Sequence, residues 1–138
     1  MDDQTIERIT KETAEKLFGR GIKMPPPYLL WREFDKDLAR VFSKFITGNL
    51  YARTVLTLSE RQMVACAALA AIRATDELKL HVNAALNVGC TVQKLAETFF
   101  QISPYAGMPA VNEALTVLRD VLKERGEWPD KQNAPGAP

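Results

Sequence analysis

The 138-residue chain carries 18 Lys and Arg against 17 Asp and Glu, with 46% hydrophobic residues, one His and two Cys. That length suits one ordinary hydrophobic core rather than two, the composition is that of a folding polypeptide, and a net charge near zero leaves no basic surplus to track a nucleic-acid backbone. The acidic, polar N-terminus does not read as a secretory signal, and the longest strongly apolar run, Met63 to Ile72, falls far short of the ~20 residues that cross a bilayer, so a cytoplasmic protein with reduced thiols is expected.

Helical periodicity recurs along the chain without a period-two strand pattern, which predicts an all-α fold. The first helix, Asp3 to Phe18, sets Ile6, Ile9, Thr13 and Leu17 on a narrow stripe and ends at Gly19 and Gly21. Pro25-Pro26-Pro27 forces an extended linker. A second, strongly amphipathic helix then carries Leu30, Trp31, Phe34, Leu38, Val41, Phe42 and Phe45 to a stop near Gly48. Ser59-Glu60-Arg61-Gln62 has the spacing of a capping box and opens a helix that is apolar all round from Met63, with small residues on several sides, so it is expected at the centre of the fold.

Thr75-Asp76 begins the next helix, Glu77 to Val88, closed by Gly89. Another follows from Thr91 to about Ser103, with Leu95, Ala96, Phe99 and Phe100 inward, before Pro104 and Gly107 bend the chain. The last, Met108 to Arg125, places Val111, Ala114, Leu115, Leu118, Val121 and Leu122 on one side. These six helices make one domain over residues 1–128; residues 129–138 have almost nothing to bury and are expected to be a disordered tail.

At about 100° per residue, Lys79, Asn83 and Asn87 share one side of the fourth helix, whereas His81 lies among Leu78, Ala84, Ala85 and Val88, with Glu77 one turn before it. A carboxylate at that distance can hold an imidazole in one tautomer, and a positioned imidazole suits general acid–base work. On position alone, His81 reads first as a packed core histidine and second as a proton carrier.

The surrounding words change that balance. Asp76 through Gly89, with Thr91, Leu95 and Glu97 beyond it, resembles the histidine-bearing helix of the carboxymuconolactone decarboxylase family. The turn Tyr105-Ala106-Gly107-Met108-Pro109, with Ala110 and Asn112, and the opening Leu58-Ser59-Glu60-Arg61 extend the resemblance over roughly Trp31 to Leu122. It implies a compact all-α protomer of the alkylhydroperoxidase-like type, assembled as a homo-oligomer, usually a hexamer of three dimers. The related peroxidase branch places Cys-x-x-Cys ahead of the histidine and an acid upstream; here Ala74 and Glu77 stand at the cysteine positions and Gln62 at the acid. Cys66 and Cys90 are read as structural thiols. A thiol peroxidase on the same scaffold and a non-catalytic oligomeric binding protein are the competing readings.

The substrate implied by the resemblance is γ-carboxymuconolactone, a small unsaturated lactone with two carboxylates from the protocatechuate branch of aromatic catabolism. Loss of CO2 leaves electrons that the conjugated lactone accepts as a dienolate, so no cofactor is chemically required. The protein must fix the carboxylates, stabilise the oxyanion and deliver a proton to carbon. The candidate for proton delivery is His81, with Glu77 holding its tautomer and orientation, and the candidate for a bidentate carboxylate clamp is Arg61, which lies where the family word begins. Arg73 and Tyr105 are further candidates for substrate binding. Arg61 is read equally as a solvated first-turn arginine, Arg73 as a charge at a helix C-terminus, and Tyr105 first as a packing anchor. One histidine and scattered carboxylates offer no metal-ligand spacing.

Overall fold

The computed structural model describes residues 1–129; the tail expected at 129–138 lies outside them except for Pro129. Among these residues the structure is all helical: α1 (Asp3–Phe18), α2 (Pro27–Phe34), α3 (Lys36–Ser43), a π-helical segment (Lys44–Leu50), α4 (Leu58–Ala71), α5 (Thr75–Asn87), α6 (Val92–Gln101), the single turn α7 (Ser103–Ala106) and α8 (Met108–Glu124). No helix is long and apolar enough to cross a membrane.

The core is built where α4, α5, α6 and α8 meet, with Cys66, Leu78, Val82, Leu95, Phe99, Val111 and Leu122 among its buried residues. The helix at the centre is α5 rather than the expected α4. It packs against α1, α4 and α8 and buries Leu78, Leu80, Val82, Asn83, Ala84 and Ala85. α4 turns only Gln62, Cys66 and Ala70 fully inward, leaving Val64 62% and Ile72 73% exposed. Small apolar residues permit helices to approach from every side, but within this chain only one side of α4 is supplied with partners.

The second helix is interrupted where one continuous element was expected. Asp35 adopts an extended conformation at φ −153° and ψ 112°, and its carboxylate accepts from the backbone N–H groups of Asp37 (3.0 Å) and Leu38 (2.9 Å). An aspartate that caps a new helix ends the previous one. The stripe inferred for that helix is real but largely outward facing: Phe34 and Phe45 are exposed, while Trp31 and Phe42 meet edge to face at 5.7 Å between ring centroids. Phe100 of α6 is likewise exposed rather than inward.

The start of α4 also differs. Its capping box is Thr57 with Glu60: Thr57 Oγ1 accepts from Glu60 N (3.1 Å) and Glu60 Oε2 accepts from Thr57 N (2.8 Å). Thr-x-x-Glu satisfies the same geometry as the Ser59–Gln62 pair, two residues earlier, which releases Gln62 to point into the protein. α5 begins behind Ala74 without a side-chain cap, with Asp76 and Glu77 in its first turn, where the helix dipole favours acidic charge.

The polar side of α5 binds α1 and α8 instead of facing water. Asn87 Nδ2 donates to the carbonyls of Leu17 (2.8 Å) and Arg20 (2.7 Å). Arg125, its side chain 6% exposed, donates from Nη1 to Asn87 Oδ1 (3.0 Å) and Asn83 Oδ1 (3.4 Å). Gly21, at φ 76°, admits that guanidinium; a Cβ there would lie 2.4 Å from Arg125 Nη1.

On its other side α1 crosses the π-helical segment, where Gly48 is buried under Thr10 of α1. Thr10 Oγ1 is fixed by donating to the Ile6 carbonyl at 2.6 Å, and a Cβ on residue 48 would sit 2.2 Å from that oxygen. Overpacking of this kind costs about 1–3 kcal/mol. Gly48→Ala is therefore expected to lower unfolding free energy by roughly that amount in urea titration, and adding Thr10→Ala should recover most of the loss; an unchanged midpoint in the single variant would contradict the close crossing.

Candidate active site

α4 and α5 are joined by a tight turn at Ile72, Arg73 and Ala74, with Arg73 in the left-handed region at φ 60° and Ala74 N donating to the Leu69 carbonyl at 2.9 Å. The two helices run back along each other, so the early part of α4 lies beside the middle of α5. This register places Gln62 against His81: Gln62 Oε1 is 2.8 Å from His81 Nδ1. The contact joins residues on different helices, each pointing at the helix pair's inner seam. Phe18, at the end of α1, closes the ring from another side, edge to face at 6.1 Å.

Enclosure by Phe18 and the α4 side chains strips water from the imidazole and moves its pKa from 6.5 down to about 4, with burial as the cause. No neighbouring charge offsets that displacement. His81 is consequently neutral at pH 7. Gln62 is 0% exposed, and its Nε2 amide has no hydrogen-bond partner among the described residues. A buried unmet donor costs about 1–3 kcal/mol, which exceeds the return on one neutral hydrogen bond.

Glu77 is not the orienting partner of His81. It shares the helix face at the i−4 position, but its side chain is exposed and the imidazole is bonded to Gln62 instead. Residue 77 turns its carboxylate outward from the helix pair, whereas residue 81 faces Gln62 across it. The Glu77 carboxylate does act on Tyr51. Burial first, then the nearby Glu77 carboxylate, raise the Tyr51 phenol above its ordinary value, keeping its hydroxyl protonated.

The remaining sequence candidates are distributed differently. Arg61 donates from Nε (3.3 Å) and Nη2 (3.1 Å) to the Arg53 carbonyl, tying the start of α4 to the segment before it. Arg73 is paired with Glu113 of α8 through two bonds of 2.9 and 2.5 Å. Tyr105 is 81% exposed on α7, which packs on α6 and α8. The structure therefore joins His81 to Gln62 and Phe18, and brings neither Arg73 nor Tyr105 into that cluster.

A groove of about 980 Å³ runs between α1 and residues 49–58, lined by Ile9, Thr13, Phe45, Tyr51, Arg53 and Leu56 among others. Tyr51 is the link between this groove and the α4–α5 pair, since it lines the first and feels the charge of Glu77 on the second. Both thiols are buried and free. Burial pushes Cys66 up to about 12 and also raises Cys90, so neither has the thiolate character that peroxide chemistry requires. No cluster of three or more His, Cys, Asp or Glu able to hold a metal exists among the described residues.

Sequence reasoning does not reach Gln62 and Phe18 as the companions of His81. The sole sequence signal for Gln62 was its place at the family's upstream acid, and the apparent Ser59–Gln62 cap obscured it.

Residues 36–120 match the model of the carboxymuconolactone decarboxylase family. A 4-carboxymuconolactone decarboxylase of Acinetobacter baylyi is 36% identical over 130 residues, covering 94% of this chain and 92% of that protein. A nitrosuccinic acid decarboxylase of Metarhizium robertsii is 24% identical over 136 residues, covering 88% of this chain and 94% of that protein.

Because burial lowers the folded-state pKa of His81 from 6.5 to about 4, the unfolded chain binds the extra proton between those values. The favourable state is fully present above 6.5 and is lost as pH falls toward 4, by up to about 3 kcal/mol. Urea titrations at pH 7 and 4.5 should show a pH-dependent loss about 2 kcal/mol smaller in His81→Gln than in wild type. Equal losses would show that His81 is not held neutral by the fold.

Proposed function

Since the chain belongs to the carboxymuconolactone decarboxylase family, we propose that it is a carboxy-lyase that removes CO2 from γ-carboxymuconolactone without a cofactor, forming the 3-oxoadipate enol-lactone of aromatic catabolism. The observation that carries this reading is the 36% identity to a 4-carboxymuconolactone decarboxylase along 94% of the chain. The nitrosuccinic acid decarboxylase adds a chemical parallel. A nitro group and a conjugated lactone both accept the electron pair left by departing CO2, so in either case the substrate is its own electron sink.

Decarboxylation of a carboxylate consumes one proton: the C–C bond breaks, CO2 leaves, and a C–H bond forms. In γ-carboxymuconolactone the electron pair moves through the ring double bond onto the lactone oxygen. The resulting dienolate is then protonated at the carbon next to the lactone carbonyl. His81 is the proton carrier in this reading. Its neutral resting state requires that it first gain a proton, and the arrival of a dianion beside a buried imidazole raises its pKa in the required direction. Proton transfer by a positioned side chain contributes on the order of 10²–10⁴ in rate.

For the carboxylates, Arg61 keeps Nη1 outside its bonds to the Arg53 carbonyl, and the protonated Tyr51 hydroxyl is a donor at the groove. We assign these two to substrate binding in preference to Arg73 and Tyr105. The assembly is a homo-oligomer in this reading, a hexamer of three dimers. Exposed Phe34, Val41, Phe45, Val64 and Ile72 support it by leaving apolar surface without a partner in the single chain.

A turnover assay with γ-carboxymuconolactone tests the assignment. Wild type should release CO2 and form enol-lactone, His81→Ala should fall by about 10²-fold or more, and Arg61→Ala should chiefly raise KM. No CO2 release by assembled wild type would remove the substrate, and equal rates in His81→Ala would remove His81. Light scattering after gel filtration should give a mass well above that of a 15.4 kDa protomer, and Phe34→Glu with Phe45→Glu should lower it; a monomeric wild type would refute the assembly.

A further inference from the structure

We propose that Gln62 is a positioning residue for His81, present in the core for the tautomer it imposes on the imidazole and not for the stability of the α4–α5 pair. Two observations carry this. Gln62 Oε1 lies 2.8 Å from His81 Nδ1, and Gln62 Nε2 is buried with no partner among the described residues.

A carbonyl oxygen can only accept, so the hydrogen of this bond belongs to His81 Nδ1. A neutral ring carries one N–H. Its Nε2 is therefore left with a lone pair, the reverse of the arrangement a free neutral histidine prefers. The bond thus decides which nitrogen can take and return a proton.

A glutamine kept for structure alone would have both halves of its amide satisfied, because each buried polar group without a partner is a net loss. In this protein one half is satisfied, by His81, and the other is not. An apolar side chain of similar volume would fill the same space without an orphaned donor. Nothing else at the position rewards a glutamine, which ties its presence to the imidazole.

The consequence for the reaction rests on the decarboxylase reading given above. Nε2 takes a proton from solvent as the anionic substrate arrives, forming imidazolium, and returns it to the dienolate carbon as CO2 departs. Nδ1–H stays bonded to Gln62 Oε1 throughout, so the ring does not turn between the two transfers. Because the partner is an amide and not a carboxylate, no fixed negative charge holds the proton on the ring after delivery is due.

The experiment combines ¹⁵N NMR of histidine-labelled protein, thermal unfolding and steady-state kinetics for wild type, Gln62→Leu, Gln62→Met and Gln62→Glu. Wild type at pH 7 is expected to show a protonated Nδ1 and a bare Nε2. The two apolar variants should move His81 to the opposite tautomer while Tm stays within a few degrees of wild type or rises, and kcat for γ-carboxymuconolactone should fall at least tenfold with little change in KM. Gln62→Glu, which retains an acceptor, should restore the Nδ1–H signature. A wild-type ring protonated at Nε2 would overturn the proposal. So would an unaltered imidazole spectrum in both apolar variants, or a large drop in Tm as their only effect. The tautomer and Tm measurements need no substrate, so they decide the role of Gln62 even if γ-carboxymuconolactone is not turned over.

Discussion

The antiparallel contact of α4 with α5 is the constraint on which the rest of the molecule depends. Its turn is set by a left-handed Arg73 that is also held to α8 through Glu113. From that turn the register of two helices follows, and with it the meeting of Gln62 and His81. Thr57 and Glu60 fix the other end of α4, so the helix cannot slide without breaking its cap. The same seam carries the core residues Cys66, Ala70, Leu78, Val82 and Ala85. The Gln62–His81 contact and the hydrophobic packing are therefore one arrangement, and neither can be displaced without the other.

Burial in this seam has opposite consequences for the ionisable groups it encloses. It holds His81 neutral by lowering its pKa, and it holds Cys66 neutral by raising its own. The desolvation penalty always falls on the charged form. For a thiol that suppresses the thiolate, the nucleophilic form. For an imidazole it leaves a base with an open lone pair, able to respond when an anionic ligand alters its surroundings. Arg125 shows the other solution, a buried charge surrounded by the amides of Asn83 and Asn87 and the Glu127 carboxylate, which locks α1, α5 and α8 together.

The apolar stripe on α2, α3 and the π-helical segment illustrates a different limit. Its periodicity records that these side chains want a dry partner, and the exposed Phe34, Val41 and Phe45 show that the single chain does not provide one. Amphipathicity states a need for burial without naming what supplies it. The same holds for Val64 and Ile72 on α4, whose small and apolar neighbours had suggested a helix surrounded within its own chain.

By itself the sequence determined the helical class, the limits of α1, the inward faces of α5 and α8 and the family, and it singled out His81 as a candidate. These depend on local periodicity, caps and words, all of which are carried by neighbours in the chain. Tertiary structure alone decided that α5 and not α4 is central, that Asp35 divides one amphipathic stretch, and that His81 is held by Gln62 and not by Glu77. A helix wheel places Glu77 and His81 on one face, but it cannot say which side chain of the neighbouring helix meets either of them. Glu77 turns to water, whereas His81 faces the seam and meets a side chain from the other helix. The hydrogen-bond partner of a buried group is a property of register between elements, and register is fixed only when the chain has folded back on itself.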